Sequence, residues 1–258
     1  MKNRQITDLK EIQKLQTNVL VYFDKICKEN NLKYFLVGGT LLGAIRHKGF
    51  IPWDDDIDVC MPRSDYEQFL SISDKLEKDY IVLSPESNNN YMLVFSKLAN
   101  KNYYNYRKGL NGKYGVRMDI FPVDGLGNDY GTAVKQMKRI TVARKIFSVC
   151  FKNNIFSKLL HKLNVHRLGY KLMIKQCKKY KYQESEYVGC IAGGMKGEKD
   201  IFKKEIYNKL ENVTFEGHKL PGLIYYDKYL KQMYGDYMKL PPKSEQINHG
   251  VEVFDMRG

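Results

Sequence analysis

The stretch that decides the fold is GFIPWDDDIDVC, residues 49–60. It places four aspartates within five positions, directly behind the only tryptophan of the chain. At its end, Asp56 and Asp58 alternate with Ile57 and Val59. Because side chains alternate between the two faces of a β-strand, the pattern predicts a strand with two carboxylates on one face and two apolar side chains in the core.

Two carboxylates on one strand face lie about 6–7 Å apart and repel each other unless a cation lies between them. Mg²⁺ prefers oxygen ligands and is usually held by one or two carboxylates together with substrate phosphates. Asp56 and Asp58 therefore predict a site for Mg²⁺ or Mn²⁺, and Asp54 joins the same face if the strand begins early. The alternative is an exposed turn whose acidic side chains are only solvated.

The residues upstream of the acidic stretch favour a phosphate-binding role. The segment VGGT predicts a turn from a strand into a helix, with Thr40 as the helix N-cap. Glycines let the backbone approach a ligand closely, and the N-terminus of a helix attracts phosphate, so Gly38 and Gly39 are candidate phosphate-binding residues. Arg46 and Lys48 follow as candidates to neutralise phosphate oxygens. The alternatives are a plain tight turn and a solvated helix end.

A further aspartate, Asp119, lies between apolar residues in the segment RMDIF. Strands disfavour aspartate, so an aspartate inside a predicted strand needs a physical reason. It is either a third metal ligand, a general base, or a buried structural residue that bonds to the backbone.

Two parts of different character make up the 258-residue chain. Hydrophobic periodicity predicts an amphipathic helix over residues 7–30, and short apolar runs after it predict strands mixed with helices. The mixture predicts an α+β fold, with a mixed-sheet catalytic core over residues 1–128. Residues 129–258 are predicted to form an appended basic helical segment and a C-terminal strand and helix region that completes the active site.

The net charge of +14 arises in one segment. Residues 131–183 contain 14 Lys and Arg and no acidic residue, whereas the rest of the chain holds 29 residues of each sign. Such a block of positive charge indicates an anionic partner, and three classes of partner fit: nucleic acid, an anionic membrane surface or an acidic polymer. The alternative is a pair of solvated helices.

Cysteine usage and hydropathy predict the compartment. The five cysteines form no CxxC motif, which argues against a zinc site and a disulfide scaffold. The N-terminus lacks the apolar segment of a signal peptide, and no stretch approaches the roughly 20 apolar residues of a membrane-spanning helix. The sequence therefore predicts a cytoplasmic protein that is at most peripheral to the inner face of the membrane.

The glycine turn, the helix, the Asp-hydrophobic-Asp strand and the third strand aspartate together resemble the nucleotidyltransferase (polymerase-β-like) fold. The match extends further, because FLVGGTLLGAIRHKGFIPWDDDIDVCMPRSDYEQF, residues 35–69, resembles the signature of the LicD/fukutin family. RMDIFPVDG, residues 117–125, resembles the second motif of that family. YDKYLKQMYGDYMKLPP, residues 226–242, resembles its C-terminal motif, with His249 soon after.

The resemblance implies an enzyme that transfers a phosphorylated alcohol, above all phosphocholine from CDP-choline, to a hydroxyl of a cell-surface glycan and releases CMP. In the bacterial branch the acceptor is teichoic acid, lipopolysaccharide or capsule, and the branch named for fukutin transfers ribitol phosphate. The expected partners are CDP-choline or another CDP-alcohol, a lipid-linked or anionic glycan, and an anionic membrane surface in peripheral contact. Nucleic acid is not expected as a partner.

The resemblance also implies roles for individual residues. Asp56, Asp58 and Asp119 would be catalytic and hold the metal ion, unless Asp119 instead accepts the proton of the attacking hydroxyl. The quaternary ammonium of choline has no hydrogen-bond donor and such groups are recognised by aromatic faces, so the tyrosine-rich loop at residues 103–114 is the candidate for recognising it. The candidate substrate-binding residues are Gly38, Gly39, Thr40, Arg46, Lys48, Trp53, Asp55, Tyr104, Tyr106, Arg117 and His249. Trp53 alternatively supports the turn from the core.

Two other functions stay open at this point. A true nucleotidyltransferase would use the same metal site but release pyrophosphate instead of CMP. A non-catalytic basic module would bind nucleic acid or membrane without needing a metal ion, although its dense acidic cluster would repel phosphate.

Overall fold

The computed structural model describes residues 4–88, 90–105, 114–194, 196–248, 250 and 252–257. They form an α+β fold in which nine strands build one mixed sheet and two further strands form a hairpin. The strands are β1 Arg4–Ile6, β2 Phe35–Leu36, β3 Asp58–Pro62, β4 Tyr80–Leu83, β5 Ser96–Tyr104, β6 Tyr114–Gly127, β7 Tyr187–Gly189, β8 Ile201–Lys203, β9 Leu210–Phe215, β10 His218–Leu223 and β11 Val253–Asp255. The α-helices are α1 Leu9–Glu29, α2 Gly38–His47, α3 Arg63–Ser71, α4 Tyr130–Val149, α5 Ile155–Lys162, α6 Val165–Cys177, α7 Glu205–Asn208 and α8 Tyr226–Tyr234.

The centre of the sheet is the parallel pair β3 and β6, which brings Asp58 directly opposite Asp119. The main path of the sheet runs β1-β11-β5-β6-β3-β2. Every other pairing among the described strands is antiparallel. Val59, Cys60 and Met61 of β3 are all buried, as expected for a parallel strand that is covered on both faces. The predicted strand begins two residues later than expected, so Asp56 lies just ahead of it.

Helix α1 covers one side of the sheet with the apolar stripe predicted from its periodicity. Its buried residues include Val19, Leu20 and Phe23. The Asp8 carboxylate accepts a hydrogen bond from the backbone N–H of Lys10 at 3.0 Å, which satisfies one of the unpaired amides at the helix start. The helix ends at Glu29, close to the predicted boundary.

Three basic helices follow the sheet core, which confirms the predicted helical segment. Helices α4 and α6 pack on each other and on β6 through a second apolar cluster that includes Leu126, Ile140, Phe147 and Met173. No helix in the described part of the chain has the length and apolarity needed to cross a bilayer.

Residues 210–234, which form β9, β10 and α8, pack on the main apolar core of the sheet. The hairpin of β9 and β10 packs there through Phe215, whose ring contacts Phe50, and α8 adds Tyr229 and Leu230. Strand β11 pairs between β1 and β5. Residues on both sides of position 128 thus share this core, and the division into residues 1–128 and 129–258 stays a prediction.

Candidate active site

Hydrogen bonds from side chains of α1 fix the backbone of the acidic stretch. The side-chain amide of Gln13 donates to the carbonyl of Asp54 at 2.8 Å, and that of Gln16 donates to the carbonyl of Asp55 at 2.5 Å. The N–H of Asp54 also donates to the carbonyl of Ile51 at 2.8 Å. Both glutamines are buried. Because these bonds fix the main chain, they limit the positions that the aspartate carboxylates can reach.

The glycine turn is tied to β3 at the same place. The N–H of Asp58 donates to the Thr40 hydroxyl at 2.8 Å, and the N–H of Val37 donates to the carbonyl of Asp58 at 3.3 Å. Thr40 was expected to cap the helix, and this expectation was wrong. Helix α2 already begins at Gly38, with Val37 in the cap position, and the Thr40 hydroxyl is used to hold the strand.

Two carboxylates face this turn so closely that a Cβ at either glycine would press on one of them. Gly38 has a φ of +58°, and a Cβ placed there would lie 3.1 Å from Oδ2 of Asp58. A Cβ on Gly39 would lie 2.8 Å from Oδ2 of Asp54. Left-handed backbone is also costly for residues other than glycine. The turn therefore brings the N-terminus of α2 against the acidic cluster.

Four aspartates share one electrostatic environment. Burial raises the pKa of Asp58 well above its usual value, and the negative charges of Asp56, Asp119 and Asp54 raise it further. Lys97 opposes this rise. The side chains of Lys97 and Asp119 form a largely buried ion pair between opposite positions of β5 and β6. Burial and three neighbouring carboxylates thus all disfavour the charged form of Asp58, and one lysine opposes them.

This donor set fits a hard divalent cation. Carboxylate oxygens are the ligands that Mg²⁺ prefers, and the ion needs only one or two of them when substrate phosphates supply the others. Among the described residues, no group of three or more His, Cys, Asp or Glu side chains is arranged so that it could hold a metal ion by itself. The metal site of Asp56, Asp58 and Asp119 therefore stays a prediction, in which donor phosphates would have to supply the other ligands.

Helix α8 adds aromatic side chains to the same place. The N–H of Gly38 donates to the Tyr229 hydroxyl at 3.2 Å. The Tyr234 hydroxyl lies 3.8 Å from the position of a Cβ on Gly38, and burial together with the negative charge of Asp58 raises the pKa of Tyr234. The ammonium of Lys196 stands 3.9 Å from the centroid of the Tyr234 ring. A cation thus already occupies an aromatic face beside the carboxylates.

Comparison with known proteins identifies the family. Residues 31–168 match the model described as LicD/FKTN/FKRP, nucleotidyltransferase domain. The chain belongs to the LicD family. It is 33% identical over 258 aligned residues to the lipopolysaccharide cholinephosphotransferase LicD of Haemophilus influenzae, covering 95% of this chain and 96% of that protein. Short stretches also match uncharacterized proteins of Rickettsia typhi, 46% identical over 48 residues, and Rickettsia prowazekii, 49% identical over 41 residues.

The LicD match covers the glycine turn, the acidic stretch and Asp119, and it continues through α4 and α5. The basic helices α4 and α5 and the start of α6 thus lie inside the matched region.

Three candidate residues have partners of their own. Arg46 donates to the carbonyl of Tyr237 at 2.7 Å, beyond the C-terminus of α8. Trp53 is half-buried and packs on the main core, as expected for a residue that supports the turn. Arg117 lies two residues before Asp119 on β6 and donates to the carbonyl of Tyr114 at 2.8 Å.

The other candidates are two residues held by backbone hydrogen bonds, one distant tyrosine and two residues outside the described part of the chain. Asp55 is buried, and its N–H donates to the Asp54 carboxylate at 3.1 Å. The carbonyl of Lys48 accepts from the N–H of Glu216 at 2.9 Å. Tyr104 lies seven residues along β5 from Lys97, which is about 24 Å at the rise of an antiparallel strand. Tyr106 and His249 fall outside the described part of the chain.

Sequence reasoning missed Lys97, Lys196 and the position of Tyr234. Tyr229 and Tyr234 both lie in the C-terminal motif that the sequence singled out, so a signal for them was present. Lys97 and Lys196 had none, because their proximity to the site depends on strand pairing and on the packing of α8.

Proposed function

We propose that this chain transfers phosphocholine from CDP-choline to a hydroxyl of a cell-surface glycan, with a divalent cation and with release of CMP. The observation that carries the proposal is the cluster of four aspartates around the Asp58 and Asp119 pair. The relative that matches along nearly its whole length is named as a lipopolysaccharide cholinephosphotransferase, which supports a transferase and this choice of cargo.

In this proposal Asp56, Asp58 and Asp119 hold the divalent cation. When bound, such a cation neutralises phosphate oxygens and polarises the phosphorus under attack. The acceptor oxygen forms a bond to the choline-bearing phosphorus, and the bond from that phosphorus to CMP breaks. The hydroxyl proton goes to a carboxylate, for which Asp119 is the candidate if it does not complete the metal site. Positioning and charge supply most of the catalysis in phosphoryl transfer.

The residues around the cluster orient the donor. Lys97 provides a positive charge next to Asp119, and it limits the repulsion that a phosphate would meet on entry. Gly38 and Gly39 let the Asp58 and Asp54 carboxylates lie directly against the start of α2, and the N-terminus of a helix favours the negative charge of the donor pyrophosphate. Arg46 is held near the end of α8, where it can neutralise the leaving CMP.

Recognition of choline is assigned in this proposal to Tyr234 instead of the loop at residues 103–114. A quaternary ammonium is bound by aromatic faces through cation–π attraction. The Tyr234 ring lies beside the carboxylates and already accepts the Lys196 ammonium, so choline would take the place of that ammonium. The loop candidate Tyr104 lies at the far end of β5.

Replacing Tyr234 tests this assignment. Tyr234→Leu is expected to raise KM for CDP-choline by about tenfold, since a partly desolvated cation–π contact contributes about 1–2 kcal/mol. Tyr234→Phe keeps the ring and is expected to stay within about twofold of the wild type. The matched control is Tyr225→Leu, which removes a tyrosine that also contacts lysines but lies at the other end of α8. Equal effects of Tyr234→Leu and Tyr225→Leu would refute the assignment.

The glycine turn gives a second test. Gly38→Ala is expected to lower the transfer rate by at least about tenfold, because its Cβ would press on the Asp58 carboxylate and shift a reacting group. Gly217→Ala is the control, since Gly217 also has a positive φ, of +80°, but has nothing within 4 Å of an added Cβ. Both variants carry a similar backbone strain of about 1 kcal/mol. A similar loss of activity in both would mean that strain alone, and not contact with the carboxylate, is responsible.

The products distinguish this function from its alternative. The purified chain is incubated with Mg²⁺, a glycan acceptor and CDP-choline, CDP-ribitol or CDP-glycerol, and in parallel with CTP. We expect CMP and phosphocholine-modified glycan in equal amounts from CDP-choline. Pyrophosphate from CTP, with no CMP from any CDP-alcohol, would instead establish a nucleotidyltransferase.

A further inference from the structure

Helix α5 shows an apolar face that the proposed chemistry does not use. Ile155 is 87% exposed, Phe156 63% and Leu159 51%, and Leu163, just past the helix end, is 64% exposed. Ser157 is the one buried residue of this fully described helix. Most of α5 therefore contacts solvent instead of the protein.

The arrangement of these side chains is that of an amphipathic surface helix. Successive residues of an α-helix are turned by about 100°, so Ile155, Phe156 and Leu159 lie within one arc of about 100°. Ser157 lies roughly on the opposite side, where α5 meets the rest of the fold. Lys158 and Lys162, both exposed, border the apolar arc on its Ile155 side. The apolar side of α5 thus points away from the protein.

The neighbouring helices extend this surface. Leu168 and Leu172 of α6 and Val142 of α4 are also exposed. The groove between α4 and α6 is lined by Val142, Leu172, Lys138, Arg139, Lys175 and Lys179. Exposed apolar side chains and basic side chains are therefore mixed over all three helices.

The positive charge of this surface, together with its exposed apolar side chains, indicates which kind of partner binds it. Residues 131–183 carry 14 Lys and Arg without one acidic residue. A second copy of this chain would present the same positive charge and be repelled. Nucleic acid would meet the basic residues but leave the projecting Ile, Phe and Leu side chains in water. An anionic bilayer accepts both, because its headgroups bind Lys and Arg while its interface takes up apolar side chains.

We propose that helices α5 and α6 form an anionic-membrane-binding surface. In it, Ile155, Phe156, Leu159 and Leu163 enter the boundary between headgroups and acyl chains, and the surrounding Lys and Arg contact lipid phosphates. Binding then has two parts: an electrostatic part that salt weakens and an apolar part that salt leaves in place. A purely electrostatic attachment would have only the first part.

Vesicle sedimentation tests the surface without substrate, and so independently of the proposed function. The full chain is mixed with phosphatidylcholine vesicles with and without phosphatidylglycerol, at low and at high salt. The test variant is Ile155→Ser with Phe156→Ser and Leu159→Ser. The control variant is Ile224→Ser with Ile247→Ser and Met256→Ser, which removes three exposed apolar side chains elsewhere. Circular dichroism and size-exclusion chromatography check the fold and the oligomeric state of each.

We expect the wild type and the control to bind phosphatidylglycerol vesicles and to keep part of that binding at high salt. The test variant is expected to bind about tenfold or more weakly at low salt and to lose the salt-resistant part. Failure of the wild type to bind, or equal binding by the test variant, would overturn the proposal. A wild-type dimer that the test variant dissociates would also overturn it, because the face would then be a contact between two copies. If the test variant is unfolded, Phe156→Ser alone is measured against Ile247→Ser by the same criteria.

Discussion

Asp58→Asn is expected to lower phosphocholine transfer by about a thousandfold or more while the protein stays folded. The substitution keeps the size of the side chain but removes the charge that a divalent cation needs. Asp58 pairs with Asp119 across the parallel strands β3 and β6, and its carboxylate faces the glycine turn. Loss of this one charge therefore removes the centre of the proposed site. The rate is measured as CMP release from CDP-choline in the presence of acceptor.

The same variant has a stability signature that a structural defect would not produce. Asp56, Asp119 and Asp54 all repel the Asp58 carboxylate, so Asp58→Asn relieves repulsion and is expected to raise Tm in the absence of metal. Millimolar Mg²⁺ is expected to raise the Tm of the wild type but not of the variant, because a ligand of the folded state stabilises only a protein that binds it. Asp74→Asn, at an exposed acid outside the cluster, serves as the control. Full activity of Asp58→Asn would exclude the proposed role.

Arg63→Met is expected to destabilise the fold by about 3–5 kcal/mol. Arg63 makes two hydrogen bonds to the Asp124 carboxylate, at 2.7 and 2.9 Å, and the Asp124 side chain is fully buried. Burial alone would lower the pKa of Arg63, but the charge and hydrogen bonds of Asp124 raise it instead. The variant leaves a buried carboxylate without its partner charge. The free energy of unfolding is measured by urea denaturation.

The double variant Arg63→Met with Asp124→Leu is the control for this pair. It removes both charges, so most of the lost stability is expected to return, since apolar residues often replace a buried ion pair at little cost. A single variant as stable as the wild type would show that the pair is not important for the fold. The result also fixes the role of Asp124, which lies in the second family motif but serves the core and not the acidic cluster.

The sequence predicted those parts of the site that depend on local patterns. The alternation around Asp58 predicted β3, and the paired glycines predicted the turn into α2. The apolar residues around Asp119 predicted that it lies in a strand. Periodicity predicted α1, and the charge of residues 131–183 predicted the basic helices. Each of these features is encoded within about twenty neighbouring residues.

The remaining parts depend on pairings between distant segments. No local pattern shows that β3 runs parallel to β6, and this register is what brings Asp58 next to Asp119. Lys97 reaches Asp119 because β5 pairs on the other side of β6. Thr40 looked like a helix cap because its hydroxyl can serve that purpose, but the N–H of Asp58 uses it instead.

Anomalous diffraction from crystals grown with Mn²⁺ and CDP-choline tests the central claim most directly. The account predicts a manganese peak in contact with carboxylate oxygens of Asp56 or Asp58 and of Asp119, with the donor pyrophosphate on its other side. The account would be contradicted if no manganese lay among the three carboxylates and the donor were bound elsewhere. Asp119 would then be paired only with Lys97.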